Sequence, residues 1–289
     1  MCRILQNFKV EIRGNRKYSV NESYFDVIDA EDKAYWLGFL FADGFVRRNE
    51  LAFGLAPRDK AHVELFCSYL KSNHPIKYEE HTVESRGKQY LCKRYRVYIF
   101  SKRLHDMVVK HGCVENKTYR LSFPDLSTKL IRPFVLGYFD GDGSISINKN
   151  GNPCLNFVSS SLSFLRQIAD RLVTECNVRN PELTGGSDNF KYIAWGSKAD
   201  IKNIYEYFYE SATIFLARKK IIFESPKLKY YYQHVSFDFA KQLVQENNIK
   251  SARQYWDFRR ANNLIALPYD PRAFYKNTGW INWYDFLGK

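Results

Sequence analysis

The chain has 289 residues, 45% of them hydrophobic, enough for one large or two modest domains with a buried core. Its apolar runs are far too short to span a bilayer, and its N-terminus lacks a signal peptide's apolar stretch. This predicts a soluble, intracellular protein of a bacterial or phage-infected cytoplasm, or of an organelle matrix. Forty-four Lys and Arg against 31 Asp and Glu, a net charge of +13, point to a polyanion, and without membrane features that polyanion is nucleic acid.

Residues 1–30 read as a basic N-terminal arm carrying Arg13, Arg16 and Lys17, either contacting nucleic acid or unstructured. From Asp29 or Ala30 a helix is expected, with Asp29, Glu31 and Asp32 at its positive end. It contains Trp-Leu-Gly-Phe-Leu-Phe-Ala-Asp-Gly (36–44). A strand-like run follows to Leu55, then a helix over 58–72 with Ala61, Leu65, Phe66, Tyr69 and Leu70 at helical spacing. Thr82 to Phe100 predicts a hairpin turning near Ser85-Arg86-Gly87. In its second strand Tyr95, Val97 and Ile99 face one way, and Arg94, Arg96 and Tyr98 the other. Ser101 opens a helix to Lys110, and Asn116-Lys117-Thr118 precedes the end of this half at Phe123-Pro124.

Beyond a linker at 125–131, the pattern recurs. Val-Leu-Gly-Tyr-Phe-Asp-Gly-Asp-Gly (135–143) repeats the first stretch with Gly, Asp and Gly at the same three places. A hairpin over Ser144–Ser159 turns at Asn148-Lys149-Asn150-Gly151, a helix spans Leu162–Glu175, and a second hairpin over Glu182–Trp195 is expected to turn at Gly185-Gly186. Ser197-Lys198 opens a helix as Ser101-Lys102 does, and Arg218-Lys219-Lys220 falls where Asn116-Lys117-Thr118 fell. The offsets are 99 residues (Asp43 to Asp142), 96 (Ser101 to Ser197) and 102 (Lys117 to Lys219), the drift expected of a duplicated domain with loop insertions. Each half, 31–124 and 132–232, reads helix, two strands, helix, two strands, helix.

Within each repeated stretch small residues recur four apart, Gly38 with Ala42 and Gly137 with Gly141, on one helix face. Such faces let two helices approach closely and would bring Asp43 and Asp142 side by side. Carboxylates are disfavoured at helix C-termini and repel each other, so the pairing makes sense around a hard cation such as Mg²⁺. The alternative is a pair of ordinary helix ends with Gly44 and Gly143 as C-caps. The six cysteines show no metal-ligand spacing and are expected to be reduced; zinc is not expected.

These motifs resemble the signature of the LAGLIDADG homing endonucleases in their single-chain form with two motifs. The resemblance covers roughly residues 30–230. It implies an α+β fold of two pseudo-symmetric αββαββα halves packed through their motif helices, with antiparallel sheets forming a saddle along DNA. It also implies a monomer that cuts double-stranded DNA at a long site, hydrolysing one phosphodiester per strand across the minor groove. Asp43 and Asp142, with Gly44 and Gly143 beside them, fall on the metal site for Mg²⁺, with Mn²⁺ as a substitute. Lys117 and Lys219 fall where the family places a catalytic lysine, Lys220 being a competitor for the second. The first copy departs at Phe41, where the second has the signature's Asp140; that position is not a metal ligand. Strand parity nominates Arg47, Arg94 and Arg96 in the first half for base contacts, and Ser146, Asn148, Asn189 and Lys191 in the second.

Residues 233–289 read as a small helical accessory domain, with helices over 236–247 and 251–262 and three of the chain's five Trp. Asp-Pro…Tyr-Lys…Gly-Trp…Trp-x-Asp-Phe-Leu-Gly resembles a small repeat unit of phage and algal proteins. It implies either a DNA-binding accessory or a helical cap on the second half. The competing functional reading is a non-cleaving protein on the same fold, an intron RNA maturase or a DNA-binding regulator.

Overall fold

The computed structural model describes residues 17–289 except 86, 115–120, 188–189, 229–233, 263 and 265. The order is α1 (Glu31–Asp43), β1 (Phe45–Arg47), β2 (Glu50–Leu55), α2 (Lys60–Tyr69), β3 (Ile76–Ser85), β4 (Lys88–Phe100) and α3 (Lys102–Lys110). It then repeats as α4 (Thr128–Asp142), β5 (Gly143–Ile147), β6 (Pro153–Ser159), α5 (Leu162–Cys176), β7 (Leu183–Ser187), β8 (Phe190–Trp195), α6 (Lys198–Tyr209) and α7 (Ala217–Phe223). The two antiparallel sheets have the same order, β1-β2-β4-β3 and β5-β6-β8-β7. The fold is therefore the duplicated α+β arrangement that the sequence predicts.

The core forms because apolar residues alternate along the central strands. Leu51, Phe53 and Leu55 of β2 pair with Ile99, Val97 and Tyr95 of β4 on the helix-facing side. In β6, Leu155 and Phe157 face the same way, paired with Trp195 and Ile193 of β8. α1 and α4 are apolar on nearly all sides, so they belong in the middle of the molecule. Residues 34–42 of α1 and 133–140 of α4 are buried. The halves meet along these helices.

Three boundaries differ from expectation. β3 begins at Ile76, six residues before Thr82, because its first residues pair with 95–97 of β4, the stretch that β2 covers on the other side. β7 runs through Gly185 and Gly186 with a register irregularity at Gly185/Ser187, so the hairpin does not turn there. Glycine inside a strand marked a bulge rather than a turn. α4 also begins at Thr128, inside the expected linker.

Residues 17–30, expected as the end of a free arm, fold onto the first half. Phe25 is fully buried, Asn21 N–H donates to Leu70 O, and Arg103 pairs with Asp26. Residues 1–16 of that arm lie outside the described residues.

The C-terminal region carries α8 (Phe237–Glu246), α9 (Ala252–Ala261), α10 (Pro271–Phe274) and α11 (Trp283–Leu287). Ser236, Ser251, Asp270 and Asn282 cap their N-termini with side-chain oxygens. Phe237, Val244, Tyr255, Tyr275 and Phe286 form a hydrophobic cluster of their own, with Trp280 and Trp283 packed against it. The two buried phenols are satisfied by main-chain carbonyls, Tyr255 by Pro268 and Tyr275 by Val235. No helix among the described residues is long and apolar enough to cross a membrane. The described cysteines are free thiols.

Candidate active site

Glycine sets the approach of α1 and α4. A Cβ on Gly38 would lie 2.0 Å from Phe134 O, and one on Gly137 would lie 2.0 Å from Tyr35 O. Since Phe134 and Tyr35 are themselves 99 positions apart, the two contacts are pseudo-symmetric. One turn further, a Cβ on Gly141 would lie 2.2 Å from Ala42 Cβ and 3.4 Å from Asp43 Oδ2. The Asp43 carboxylate thus sits beside the residue preceding Asp142. Each Asp is exposed and ends its helix, followed at once by a strand.

Gly44 and Gly143 are not left-handed caps; their φ values are −71° and −83°. Glycine is needed there because the chain turns sharply from helix into strand. A side chain would strike the previous turn, 2.5 Å from Leu40 O at Gly44 and 2.6 Å from Phe139 O at Gly143.

Lys219 is buried behind the second motif, 3% exposed. Its ammonium donates to Phe139 O, to Gly143 O at 2.5 Å and to Gly141 O at 3.4 Å, so it caps the end of α4. Burial lowers its pKa to about 8, partly opposed by the negative charges of Asp140, Asp43 and Asp142. Lys220 points away, towards Glu224 and the Phe215 ring. Of the two lysines, Lys219 is the one at the site. Lys117 lies outside the described residues.

The departure between the motifs has a structural counterpart. Phe41 packs edge-on against Phe134, whereas Asp140 is buried in a polar network. Asp140 Oδ2 accepts from Tyr35 OH (2.8 Å) and Leu216 N–H (2.7 Å). Tyr35 OH also meets His62 Nε2 at 2.8 Å. A hydroxyl has one proton; given to the carboxylate, it leaves Nε2–H of a neutral imidazole as donor to the phenol. Burial raises the Asp140 pKa to about 6 against the pull of Lys219, and burial lowers that of His62 to about 4. Sequence reading missed this network because its members come from three helices and a loop.

Its acid behaviour is measurable. Between pH 6.5 and about 4 the unfolded chain protonates His62 while the folded chain does not, so stability falls as pH falls through that window. A depression of this size is worth about 3 kcal/mol. Asp140, with its raised pKa, acts in the opposite sense, so the comparison is between wild type and His62→Gln. Urea unfolding at pH 7 and pH 4.5 should show wild type losing about 2 kcal/mol more than the variant; equal losses would refute it.

Next to this network, Arg218 Nε donates to both Asp59 oxygens (3.1 and 2.9 Å), joining the halves across 159 residues. Asp59 is 7% exposed while Arg218 is partly open to solvent. Arg218→Ala leaves a buried carboxylate without its main partner and should cost about 2 kcal/mol. A change under about 0.5 kcal/mol in a denaturant titration would place the pair among inert surface bridges.

Strand register settles which nominated residues share a face. Arg47, Arg94 and Arg96 lie on the side of the first sheet turned away from the helices, with Phe45, Lys77, Glu79 and Tyr98. In the second sheet Ser146 lies on the matching side with Ser144 and Asn156, whose side chains are hydrogen-bonded at 3.0 Å. Lys191 does not. It shares the parity of the buried Ile193 and Trp195, so Tyr192 and Ala194 are outward residues of β8. The buried Trp195 fixes that parity and was the signal to follow. Asn148 is engaged in its own turn, its Oδ1 accepting from Asn150 N–H and Asn152 N–H. Asn189 lies outside the described residues.

The architecture is that of a duplicated α+β protein whose halves meet through glycine-paired helices ending in carboxylates. Residues 129–206 match the family model described as a LAGLIDADG-like domain. The chain is 29% identical over 166 residues to an uncharacterized protein of Methanocaldococcus jannaschii, a match covering 54% of this chain and 59% of that one. It thus spans little more than half the length of that curated relative. Among solved structures it is similar to the homing endonuclease I-WcaI bound to its DNA recognition sequence (12% identity, 75% of this chain, 95% of that chain, TM-score 0.48). It is also similar to the N-terminal LAGLIDADG domain of DUF199/WhiA (17%, 72% and 90%, TM-score 0.42). A third is I-DmoI in complex with DNA and Mn (13%, 66% and 100%, TM-score 0.36).

The donor set fits a hard divalent cation. Two exposed carboxylates converge at the negative ends of two helices, with no other acidic neighbour to complete a cage; among the described residues no cluster of three His, Cys, Asp or Glu could hold a metal. Mg²⁺ is commonly held this way, by one or two carboxylates with waters and substrate phosphates. Gly143 O already accepts from Lys219, which limits it as a ligand.

Proposed function

We propose that the chain is a site-specific double-stranded DNA endonuclease acting through Asp43 and Asp142. The observation that carries this reading is the placement of two exposed carboxylates at the joined ends of pseudo-symmetric helices, next to Lys219. A fold that stacks like charges at two helix C-termini gives up stability, and a cation-dependent reaction is the reason to keep them.

Hydrolysis of a phosphodiester requires an activated water, stabilisation of charge on phosphorus oxygens and release of the 3′ oxygen. Divalent cations, Mg²⁺ or Mn²⁺, supply water activation and charge neutralisation when bound. The chain's own residues set the place. Asp43 and Asp142 fix where the cation charge accumulates, and the glycine pairing fixes their relative position. Lys219 holds the end of α4, so the direction in which Asp142 projects is set by a buried contact. Lys117 is the corresponding residue of the first half. The open sheet faces, with Arg47, Arg94 and Arg96 on the first and Ser146 on the second, would follow the DNA on either side.

One observation favours the non-cleaving alternative. All three Lys219 donors are directed to main-chain carbonyls, which suits a structural cap as well as a catalytic cation. A regulator or an intron RNA maturase would keep that cap. The deciding experiment uses a plasmid carrying the gene's uninterrupted insertion locus, incubated with Mg²⁺ and separately with Ca²⁺. Linearisation at one site in Mg²⁺ is expected. Tight binding without cutting in Mg²⁺ would select the alternative.

A further inference from the structure

β3 and β4 extend well past the rest of their sheet. β2 pairs with β4 only over 95–100, so residues 88–94 of β4 pair with β3 alone and form a two-stranded ribbon. At its base, on the face turned from the helices, one carboxylate sits among cations. Arg94 Nε donates to Glu79 Oε2 at 2.9 Å, and Tyr98 OH donates to Glu79 Oε1 at 2.5 Å. Arg96 lies 3.9 Å from the same carboxylate, and both Arg96 and Lys77 lie over the Tyr98 ring. Burial works against the Glu79 charge, but these hydrogen bonds and cations outweigh it and hold its carboxyl below the usual value.

If phosphate attraction were the only task of this face, an acidic residue at its centre would oppose it. Glu79 does something a lone cation cannot. It takes Arg94 through Nε, which fixes the guanidinium plane while the terminal amino groups are the pair that reads a guanine edge. It also weakens the pull on phosphate at this place, so correct base contact must supply what electrostatics does not. Among the described residues the open face of the second sheet shows no such unit; Ser144, Ser146, Asn156 and Tyr192 there are uncharged.

We propose that Glu79 is a specificity-determining residue: it braces Arg94 so that the first half reads a G·C base pair in the major groove of double-stranded DNA. The assignment rests on the DNA-binding reading above. A cross-strand ion pair that only stiffens the ribbon is the competing account.

The test is selection from a randomised duplex library with the full chain, in Ca²⁺ to suppress cutting. Wild type, Glu79→Gln and Arg94→Ala are compared. Glu79→Gln keeps the side-chain length and an acceptor, and its position is partly exposed, so folding is retained. Wild type should select one fixed G·C pair whose preference drops roughly tenfold or more in both variants at that position, other positions being kept. If the Glu79→Gln pool keeps every preference and only total binding changes, Glu79 is a brace for the hairpin and the proposal is overturned. If Arg94→Ala and Glu79→Gln lose preference at different positions, the coupling is wrong. A wild-type pool with no enrichment would instead remove the DNA-binding reading itself.

Discussion

Gly38→Ala should destabilise the fold by about 3 kcal/mol. The added methyl would sit 2.0 Å from Phe134 O and 3.0 Å from Tyr138 N, backbone atoms of the opposing helix. Neither can rotate aside, so α1 and α4 must separate along the seam on which Tyr35, Phe39, Phe134 and Tyr138 are buried. Alanine's better helix propensity returns about 1 kcal/mol, against a loss of about 4 kcal/mol or more from overpacking and lost contact. For a chain of this size that is a fall in Tm of roughly 10 °C. Gly196→Ala is the control, since a Cβ there meets nothing closer than 3.8 Å. Thermal melts in which the two variants behave alike would mean that the close helix approach is not what holds the halves together.

Asp142→Asn should have opposite effects on activity and stability. The substitution keeps shape and a hydrogen-bond acceptor but removes a negative charge from the C-terminal end of α4 and from the neighbourhood of Asp43. Both like-charge and helix-dipole repulsion fall, a gain of up to about 1 kcal/mol in the folded state. Cleavage should fall by a factor on the order of a hundred or more, equivalent to about 3 kcal/mol of transition-state stabilisation. DNA binding in Ca²⁺ should change little by comparison. A variant that melts higher and binds but does not cut would support a carboxylate retained for chemistry. Undiminished cleavage would take Asp142 out of the reaction.

The sequence disclosed what depended on local spacing. The repeated Gly-x3-small pattern and the Asp-Gly ends were visible because helix geometry places residues four apart on one face. The alternation in β4 separated Arg94 and Arg96 from Val97 and Ile99 for the same kind of reason. What failed depended on a competing role for the same residue type. Gly185-Gly186 looked like a turn and is a strand irregularity. Lys191 is nominated as outward by strand parity, yet it shares the parity of the buried Trp195. The polar network around Asp140 was out of reach, since nothing local marks Tyr35 and His62 as its partners.

The contacts of Gly38 with Phe134 and of Gly137 with Tyr35 are the same contact made twice in reversed order. A surface of that kind is self-complementary, as in a two-fold dimer. Either half could in principle meet a copy of itself across it, with two features standing against this. The Arg218–Asp59 bridge needs one residue from each half, and the second half has Asp140, bound to Tyr35 of the first, at the position the first half fills with Phe41. A homodimer of second halves would bury two Asp140 carboxylates and supply neither Asp59 nor Tyr35. Duplication within one gene freed the two copies to diverge into lock and key, and the asymmetry at 41 and 140 keeps each half committed to the other.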